Sequence, residues 1–229
     1  MEKTYEFQFE GRRTTVVVPD NANGEWVWKA EFFHAFDQAE RALYDDGYTR
    51  VYHSVSDRYG SYEAIRMMHR FYRYAVREFG LRERCHLFGF SRGGLYAFNF
   101  CLSYPEYVSS LYLDAPVLDM KSWPPKGSAE QAQLFAEYTL NADTLPLFRE
   151  NPIDNLDEFF ALDIPLMVVA GAADELVPLD ENAGILLNYC RERGIAVESV
   201  IKPTCGHHPH SLEDPTPIVS FVKRHSTQN

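Results

Sequence analysis

Segments in which hydrophobic residues recur at helical spacing alternate along this chain with short strand-like apolar runs. This alternation predicts strands interleaved with helices. Apolar residues recur at steps of three and four over residues 30–46 and 61–79, which is typical of amphipathic helices. Near the start, β-branched and aromatic residues flank a glycine turn, which predicts a hairpin of two strands at 5–9 and 14–18. Further strands are predicted at 48–55, 85–90, 109–115, 164–170 and 197–201, and further helices at 93–103, 179–194 and 215–225.

This alternation indicates an α/β fold with a mainly parallel central sheet and helices on both faces. We predict a single domain over residues 1–229, with functional loops gathered at the carboxyl ends of the strands. Residues 116–163 interrupt the pattern with prolines and with short helical pieces at 129–140 and 155–161. We expect this segment to be a short cap-like excursion that leaves the site rather open.

Composition and charge narrow the class of protein. A chain of 229 residues with 45% hydrophobic content can bury one sizeable core. The formal net charge is −11, without an arginine-rich patch or zinc-finger spacing, so nucleic acid is not an expected partner. We read neither a signal peptide nor a membrane span and expect a cytoplasmic protein. The four cysteines form no C-x-x-C pair and are expected to be free thiols, as in a reducing compartment.

The most informative segment is Gly-Phe-Ser-Arg-Gly at residues 89–93, between a predicted strand and a predicted helix. It is a G-x-S-x-G nucleophile elbow in the structural context that this motif requires. A serine held in a sharp, strained turn crowds its neighbours, and glycines relieve the crowding. Ser91 is therefore a candidate nucleophile with an exposed Oγ. A helix N-cap could also place a serine here, but a cap does not need the flanking glycines.

Candidates for an acid and a base follow in a recognisable order. Asp174 lies in Gly-Ala-Ala-Asp-Glu-Leu-Val-Pro, just after one predicted strand, and His207 follows Gly206 after the next. Ser, then Asp, then His is the order of α/β-hydrolases and differs from two protease orders. From about residue 12 to residue 224 the sequence resembles the α/β-hydrolase superfamily of serine esterases and their relatives. Within it, the chain looks like small, nearly cap-less esterases, including bacterial ones thought to act on sugar esters.

Other residues compete for the acid and base roles. Asp114, at the end of a predicted strand, is the rival acid in some relatives, although here we expect it to anchor a loop. His208 is the next candidate base after His207, and His210 lies close by. With Cys205 these histidines could suggest a metal cluster. Their spacing lacks the second ligand pair that zinc sites usually draw from elsewhere, so no metal is predicted.

The resemblance implies hydrolysis of a carboxylic ester through an acyl-enzyme, without a cofactor. The expected substrate is a small-molecule ester with a short acyl group, on a sugar or another bulky alcohol. An acyltransferase, an amidase or a small peptidase with the same triad is the alternative, and a non-catalytic binding protein is a third class. Such a binding protein would be expected to have lost a triad member, and all three are present.

Five further residues are candidates for the oxyanion hole or the substrate pocket. The backbone N–H of Arg92 should be one oxyanion donor, worth roughly 3–4 kcal/mol in studied enzymes. The family's His-Gly is replaced here, and we assign the second donor to Trp26, in the loop predicted after strand 14–18. Trp123, soon after a strand's carboxyl end, is expected to pack against an acyl group or a sugar face. Arg58 and Tyr59 are pocket candidates, although a solvated or salt-bridged arginine is the alternative.

Overall fold

The computed structural model describes residues 3–226 and contains an eight-stranded sheet. The strand order across the sheet is β1-β2-β4-β3-β5-β6-β7-β8. β1 and β2 form an antiparallel hairpin at one edge and β2 pairs antiparallel with β4, whereas all pairs from β4 to β8 are parallel. The strands are β1 Lys3–Phe9, β2 Arg12–Val18, β3 Trp26–Lys29, β4 Thr49–His53, β5 Cys85–Phe90, β6 Val108–Asp114, β7 Leu166–Gly171 and β8 Glu198–Lys202.

Seven α-helices accompany the sheet in the described residues, and the longest shows clear sequence signals at both ends. Its N-cap Ser61 accepts a hydrogen bond from the backbone N–H of Ala64, and it ends at Gly80 in the left-handed conformation that glycine adopts freely. The helices are α1 Gln38–Asp45, α2 Tyr62–Phe79, α3 Gly93–Ser103, α4 Ala129–Tyr138, α5 Leu156–Ala161, α6 Ala183–Arg193 and α7 Thr216–Arg224.

The sheet is covered on both faces, because alternate residues of its central strands belong to two separate buried clusters. In β3, Trp26 and Trp28 pack in one cluster and Val27 in the other. The first cluster includes apolar residues of α2 and α3, and the second includes residues of α1 and α7. Successive strand residues point to opposite faces, so both faces carry helices. The predicted α/β-hydrolase fold, with a mainly parallel sheet and a short insertion, is confirmed.

The segment around β3 differs from the sequence prediction. Residues 30–46 were predicted to be one helix, but α1 begins only at Gln38, and residues 30–37 form a loop that follows β3. Phe32 and Phe36 have φ of 59° and 51°, a left-handed conformation that a right-handed helix excludes. The spacing of Phe32, Phe33 and Phe36 matches that of one face of a helix, although these residues lie in a loop. β3 itself was missed, since its four residues are buried on both faces and show no polar alternation.

The excursion between β6 and β7 carries α4 and α5. The phenol of Tyr138, the last residue of α4, donates to the carbonyl of Tyr59 at 2.9 Å. Phe159 of α5 stacks on Phe98 of α3, with ring centroids 4.4 Å apart. These contacts attach the excursion to the loop after β4 and to the helix that follows Ser91. In residues 3–226, no helix is long and apolar enough to cross a membrane.

His53, the last residue of β4, is a buried titratable group. Its Nδ1 lies 2.9 Å from Thr14 Oγ1, and its ring stacks on Phe71 with centroids 4.5 Å apart. Burial lowers the pKa of His53 to about 4. The charged form of this imidazole is therefore disfavoured in the folded protein.

Candidate active site

Ser91 occupies the tight turn between β5 and α3. Its φ is +50°, a strained value for a residue with a side chain. Three backbone hydrogen bonds hold the turn. Ser91 N–H donates to the Asp114 carbonyl at 2.9 Å, and the N–H groups of Gly94 and Val117 each donate to the Ser91 carbonyl at 2.9 Å. A Cβ on Gly89 would lie 3.0 Å from the Ala97 side chain, so α3 can cross β5 this closely only beside a glycine. The turn is fixed by β6 and by the segment that follows it.

The acid loop follows β7 and presents Asp174. One carboxylate oxygen, Oδ1, accepts hydrogen bonds from the backbone N–H groups of Leu176 at 3.0 Å and Val177 at 2.9 Å. The other oxygen, Oδ2, lies 2.7 Å from His207 Nδ1. Because Oδ1 is occupied by two backbone donors, the carboxylate cannot rotate without breaking them. Asp174 thus presents one fixed oxygen to the imidazole.

The histidine loop follows β8 and lies directly against the acid loop. Ala173 N–H donates to the Cys205 carbonyl at 2.9 Å, and a Cβ on Gly171 would lie only 2.3 Å from that carbonyl oxygen. The loops approach this closely because position 171 has no side chain. His207 Nε2 lies 2.9 Å from Ser91 Oγ. An unbroken hydrogen-bonded chain therefore runs from Asp174 through His207 to Ser91.

Asp114 and His210 form a second buried pair beside this chain. His210 Nδ1 lies 2.7 Å from Asp114 Oδ1, while Asp114 Oδ2 accepts from Ser211 N–H at 2.8 Å and from the phenol of Tyr112. The Asp114 carboxylate is thus committed to the histidine loop, in the anchoring position expected from the sequence. His208 is exposed and stacks on Phe36, with centroids 5.4 Å apart. Of the three histidines, His207 is the one hydrogen-bonded to Ser91.

The three histidines are close enough to raise the question of a metal. Ligand atoms of His207, His208 and His210 lie within 4.8 Å of one another. His207 uses both ring nitrogens on Asp174 and Ser91, and His210 uses Nδ1 on Asp114. A metal held by all three would require His207 to release Ser91 or Asp174. The arrangement suits proton transfer at Ser91 better than metal ligation.

The assignment of Trp26 to the oxyanion hole is wrong. Trp26 is the first residue of β3, at the amino end of the parallel strands, where it pairs with Thr49. Its indole N–H donates to the Arg82 carbonyl at 2.9 Å, and the residue is fully buried. Ser91 follows the carboxyl end of β5, at the opposite edge of the sheet. No backbone group of Trp26 can therefore reach an oxyanion formed at Ser91.

Phe32 lies where Trp26 was expected. The chain after β3 stays beside β5 for one more residue, since Ala30 N–H donates to the Phe88 carbonyl at 2.9 Å. The buried amine of Lys29 donates to the Ala35 carbonyl at 2.6 Å and so shapes the loop. Phe32 then lines the same cavity as Ser91. Within residues 3–226, neither Phe32 N–H nor Arg92 N–H donates to another backbone carbonyl, so both amides are candidates for the oxyanion hole.

The cavity above Ser91, which we call the Ser91 cavity, has a volume of about 370 Å³. Aromatic, imidazole and guanidinium groups dominate its walls. Trp123, the expected substrate-facing tryptophan, is among them and is largely buried. The remaining lining side chains are those of Phe32, Ala35, Phe36, Arg92, Leu176, His207, His208 and His210. A short acyl group would meet mainly apolar surface here.

Arg58 and Tyr59 do not line the Ser91 cavity, so their expected pocket role is wrong. Arg58 Nη1 donates to Glu137 at 3.0 Å, which is the salt-bridged alternative. The phenol of Tyr59 donates to Gln133 at 2.9 Å, and its ring lies beside Trp123, with 6.2 Å between the ring centroids. Both partners belong to α4, and both residues therefore attach the excursion to the body of the protein.

Glu31 is a site residue that the sequence pattern did not reveal. Its side chain is 2% exposed, and Oε2 lies 3.3 Å from Arg92 Nη2, the guanidinium of the residue after Ser91. Burial raises the pKa of Glu31, and the neighbouring Arg92 charge partly opposes that rise. Glu31 thus links the loop after β3 to the nucleophile turn. The two residues are 61 positions apart, so no local pattern signals their pairing.

Sequence comparison identifies the family. Residues 46–228, most of the chain, match the prolyl oligopeptidase family. The chain belongs to that family. It is therefore an α/β-hydrolase of the serine hydrolase type, as the resemblance of its motifs implied. The match begins after the loop that carries Glu31 and Phe32 and covers Ser91, Asp174 and His207. A search of curated proteins found no match.

Solved structures share the fold at low sequence identity. TT1662 from Thermus thermophilus is 18% identical, with a TM-score of 0.62 and 98% of each chain covered. FphF, a fluorophosphonate-binding serine hydrolase of Staphylococcus aureus solved with substrate bound, is 13% identical, with a TM-score of 0.71; 98% of this chain and 96% of that chain are covered. A protein described as a putative dipeptidyl aminopeptidase IV of Bacteroides ovatus is 14% identical, with a TM-score of 0.72. The present chain is covered to 98% and spans only 35% of that larger protein.

Proposed function

We propose that this protein is a carboxylic ester hydrolase in which Ser91 is the nucleophile, His207 the general base and Asp174 the residue that orients the imidazole. The observation that carries the proposal is the hydrogen-bonded chain from Asp174 through His207 to Ser91, with distances of 2.7 and 2.9 Å, opening into the Ser91 cavity. A nucleophile, a base and an orienting acid within hydrogen-bond reach are what acyl transfer requires.

In the first half-reaction, Ser91 Oγ attacks the carbonyl carbon of the ester while its proton passes to His207 Nε2. The carbonyl oxygen becomes an oxyanion, which we assign to the N–H groups of Arg92 and Phe32. The bond from the carbonyl carbon to the alcohol oxygen then breaks. The proton on His207 Nε2 moves to that oxygen, so that a neutral alcohol leaves and an acyl-Ser91 ester remains.

In the second half-reaction, water takes the place of the alcohol. His207 Nε2 accepts a proton from water as the water oxygen attacks the acyl carbon, and the same two N–H groups hold the new oxyanion. Collapse of this intermediate returns the proton to Ser91 Oγ and releases the acid. Asp174 accepts a hydrogen bond from the Nδ1–H of His207 throughout and stabilises the imidazolium that forms in each half-reaction.

We further propose a short acyl group and a small-molecule substrate, with no cofactor, nucleic acid or membrane as partner. Support for the short acyl group comes from the cavity volume of about 370 Å³, near the lower end of the roughly 300–1,000 Å³ of small-molecule sites. A reducing, cytoplasmic setting is part of the proposal, because all four cysteines are free thiols.

Family membership favours a second candidate, a peptidase with the same triad. The two are separated by measuring kcat/KM for 4-nitrophenyl acetate, butyrate and octanoate beside that for glycyl-prolyl-4-nitroanilide, with Ser91→Ala as the blank. We expect hydrolysis of acetate and butyrate, weaker hydrolysis of octanoate, and kcat/KM for the peptide anilide at least a hundredfold below that for acetate. A larger kcat/KM for the peptide anilide than for any ester would contradict the esterase proposal and show that the protein is a peptidase.

A further inference from the structure

A second cavity adjoins the Ser91 cavity, and we call it the side cavity. It also measures about 370 Å³ and shares Phe32, Ala35 and Arg92 with the Ser91 cavity. Its other walls come from β2, from Tyr52 on β4, from Ser56 beyond β4 and from the loop after β3. A molecule whose ester lies at Ser91 can therefore extend past Phe32 and Arg92 into this space.

The side cavity is lined by both hydrogen-bond donors and hydrogen-bond acceptors, and its charged groups are largely paired with groups of opposite charge. Arg92 supplies guanidinium N–H groups, and its charge is balanced by the Glu31 carboxylate that also lines the cavity. Arg13 extends toward solvent, 66% exposed, and lies 3.5 Å from Glu6. Ser56 adds a hydroxyl that bonds the Glu31 carboxylate. It lies 3.4 Å from the hydroxyls of Tyr52 and Ser54, long contacts that a ligand hydroxyl can replace. Donors and acceptors thus line one space.

Two buried polar atoms at this wall lack a well-aligned hydrogen bond within the described residues. Glu31 Oε1 and Arg92 Nε are each enclosed and make no hydrogen bond by distance and angle within the described residues. Buried polar atoms in folded proteins almost always have a partner, whether protein, water or ligand. Both residues lie at the boundary with the side cavity. The Glu31 carboxylate also bonds the Ser56 hydroxyl, so this wall places a carboxylate, a hydroxyl and a guanidinium side by side, with capacity left for a polar ligand group.

An aromatic surface forms another wall. The rings of Phe33 and Tyr52 stack with centroids 5.9 Å apart and an interplanar angle of 24°, and both residues line the side cavity. Phe33 is buried with the Arg50 guanidinium 5.0 Å from its ring centroid, so the half-buried Tyr52 offers the ring that a ligand can contact. An aromatic face beside paired donors and acceptors suits a ligand that has both C–H faces and hydroxyl groups. A fully apolar ligand would leave the polar groups unsatisfied, and a charged ligand would meet a guanidinium already paired with a carboxylate.

We propose that the side cavity binds an uncharged polyhydroxylated group, in the form of a monosaccharide ring that is the alcohol portion of the ester. This inference rests on the proposed esterase function and specifies its substrate class. The short acyl group then occupies the Ser91 cavity, and the sugar ring lies against Tyr52 with its hydroxyls toward Ser56, Arg92 and Glu31.

Binding is tested without turnover on the Ser91→Ala protein. Neutral methyl glycopyranosides, methyl glycosides of uronic acids and cyclohexanol are compared by ligand-observed NMR. We expect a neutral methyl glycoside to bind, and Tyr52→Leu in the same background to weaken binding about tenfold, while Tyr62→Leu, a matched change at a 77% exposed tyrosine, leaves it unchanged. Preferential binding of the uronate or of cyclohexanol, or no binding of any glycoside, would overturn the inference.

The second arm measures selectivity as a ratio of kcat/KM, for the mono-acetate of the methyl glycoside that binds over 4-nitrophenyl acetate. Ser56→Ala should lower this ratio about three- to tenfold, because the sugar loses a hydrogen bond that nitrophenol never makes. An unchanged ratio in both Tyr52→Leu and Ser56→Ala would contradict the assignment. If the wild-type protein hydrolyses no ester but the Ser91→Ala protein still binds the glycoside, the proposed esterase function is refuted, whereas glycoside binding in the side cavity is supported. If the protein hydrolyses esters but binds no glycoside, the esterase stands and the sugar site is refuted.

Discussion

Replacing Asp174 by asparagine should disable the base while keeping the fold. The side chain is the same size, and its orientation is dictated by the backbone: Oδ1 accepts from Leu176 N–H and Val177 N–H, so the amide oxygen must take that position. The NH₂ group then occupies the place of Oδ2, 2.7 Å from His207 Nδ1, and donates to it. His207 is thereby held in the tautomer that carries its proton on Nε2, which cannot accept the proton of Ser91.

The expected loss in kcat is about ten-thousandfold, the size seen when a triad aspartate is replaced by asparagine in a serine protease, and it corresponds to about 5 kcal/mol. The assay is hydrolysis of 4-nitrophenyl acetate at neutral pH, with urea unfolding as the check on folding. Glu175→Gln, at the exposed neighbouring position, removes the same charge and should keep full activity. A loss of less than tenfold in a folded Asp174→Asn protein would refute the tautomer argument.

Four further substitutions test other parts of the site and the fold. His208→Ala should change kcat less than threefold, and a larger loss would contradict this. His210→Ala should lower the free energy of unfolding by about 3 kcal/mol in urea titrations, because it leaves the buried Asp114 carboxylate without its partner, and unfolding at the wild-type urea concentration would contradict that role. Trp123→Ala should mainly raise KM for short esters by removing contact common to ground and transition states, and a fall in kcat with KM unchanged would exclude that role. The pKa of His53 is about 4 in the folded protein and near 6.5 in the unfolded chain. Between these two values the unfolded state binds more protons, so the free energy of unfolding falls as pH falls, by about 2 kcal/mol from pH 7 to pH 5. His53→Gln should remove this part of the pH dependence of urea unfolding, and an unchanged slope would show that other groups cause it.

The placement of the triad could be predicted because its signals are local. Ser91 is identified by flanking glycines, and Asp174 and His207 by their places just after two predicted strands. Parallel strands bring the loops at their carboxyl ends to one edge of the sheet, so the order along the chain was enough to place the three residues together. The structure shows the three side chains in hydrogen-bond contact.

The rest of the site depends on long-range packing. Trp26 was misplaced because β3 is only four residues long and buried on both faces, so the loop that ends beside Ser91 was predicted as part of a helix. Arg58 and Tyr59 lie near the predicted edge of the sheet, but their partners belong to α4, about 75 residues away in sequence. The Glu31–Arg92 pair and the side cavity result from tertiary contacts of the same kind.

The most direct test of the central claim is covalent labelling of the nucleophile. Intact protein is treated with a fluorophosphonate and analysed by mass spectrometry, followed by peptide mapping. We expect one adduct per chain on Ser91, none on Ser91→Ala, and slow labelling of His207→Ala because the base that activates Oγ is gone. An adduct on another serine, or equal labelling of Ser91→Ala and wild type, would contradict the assignment of Ser91 as the nucleophile.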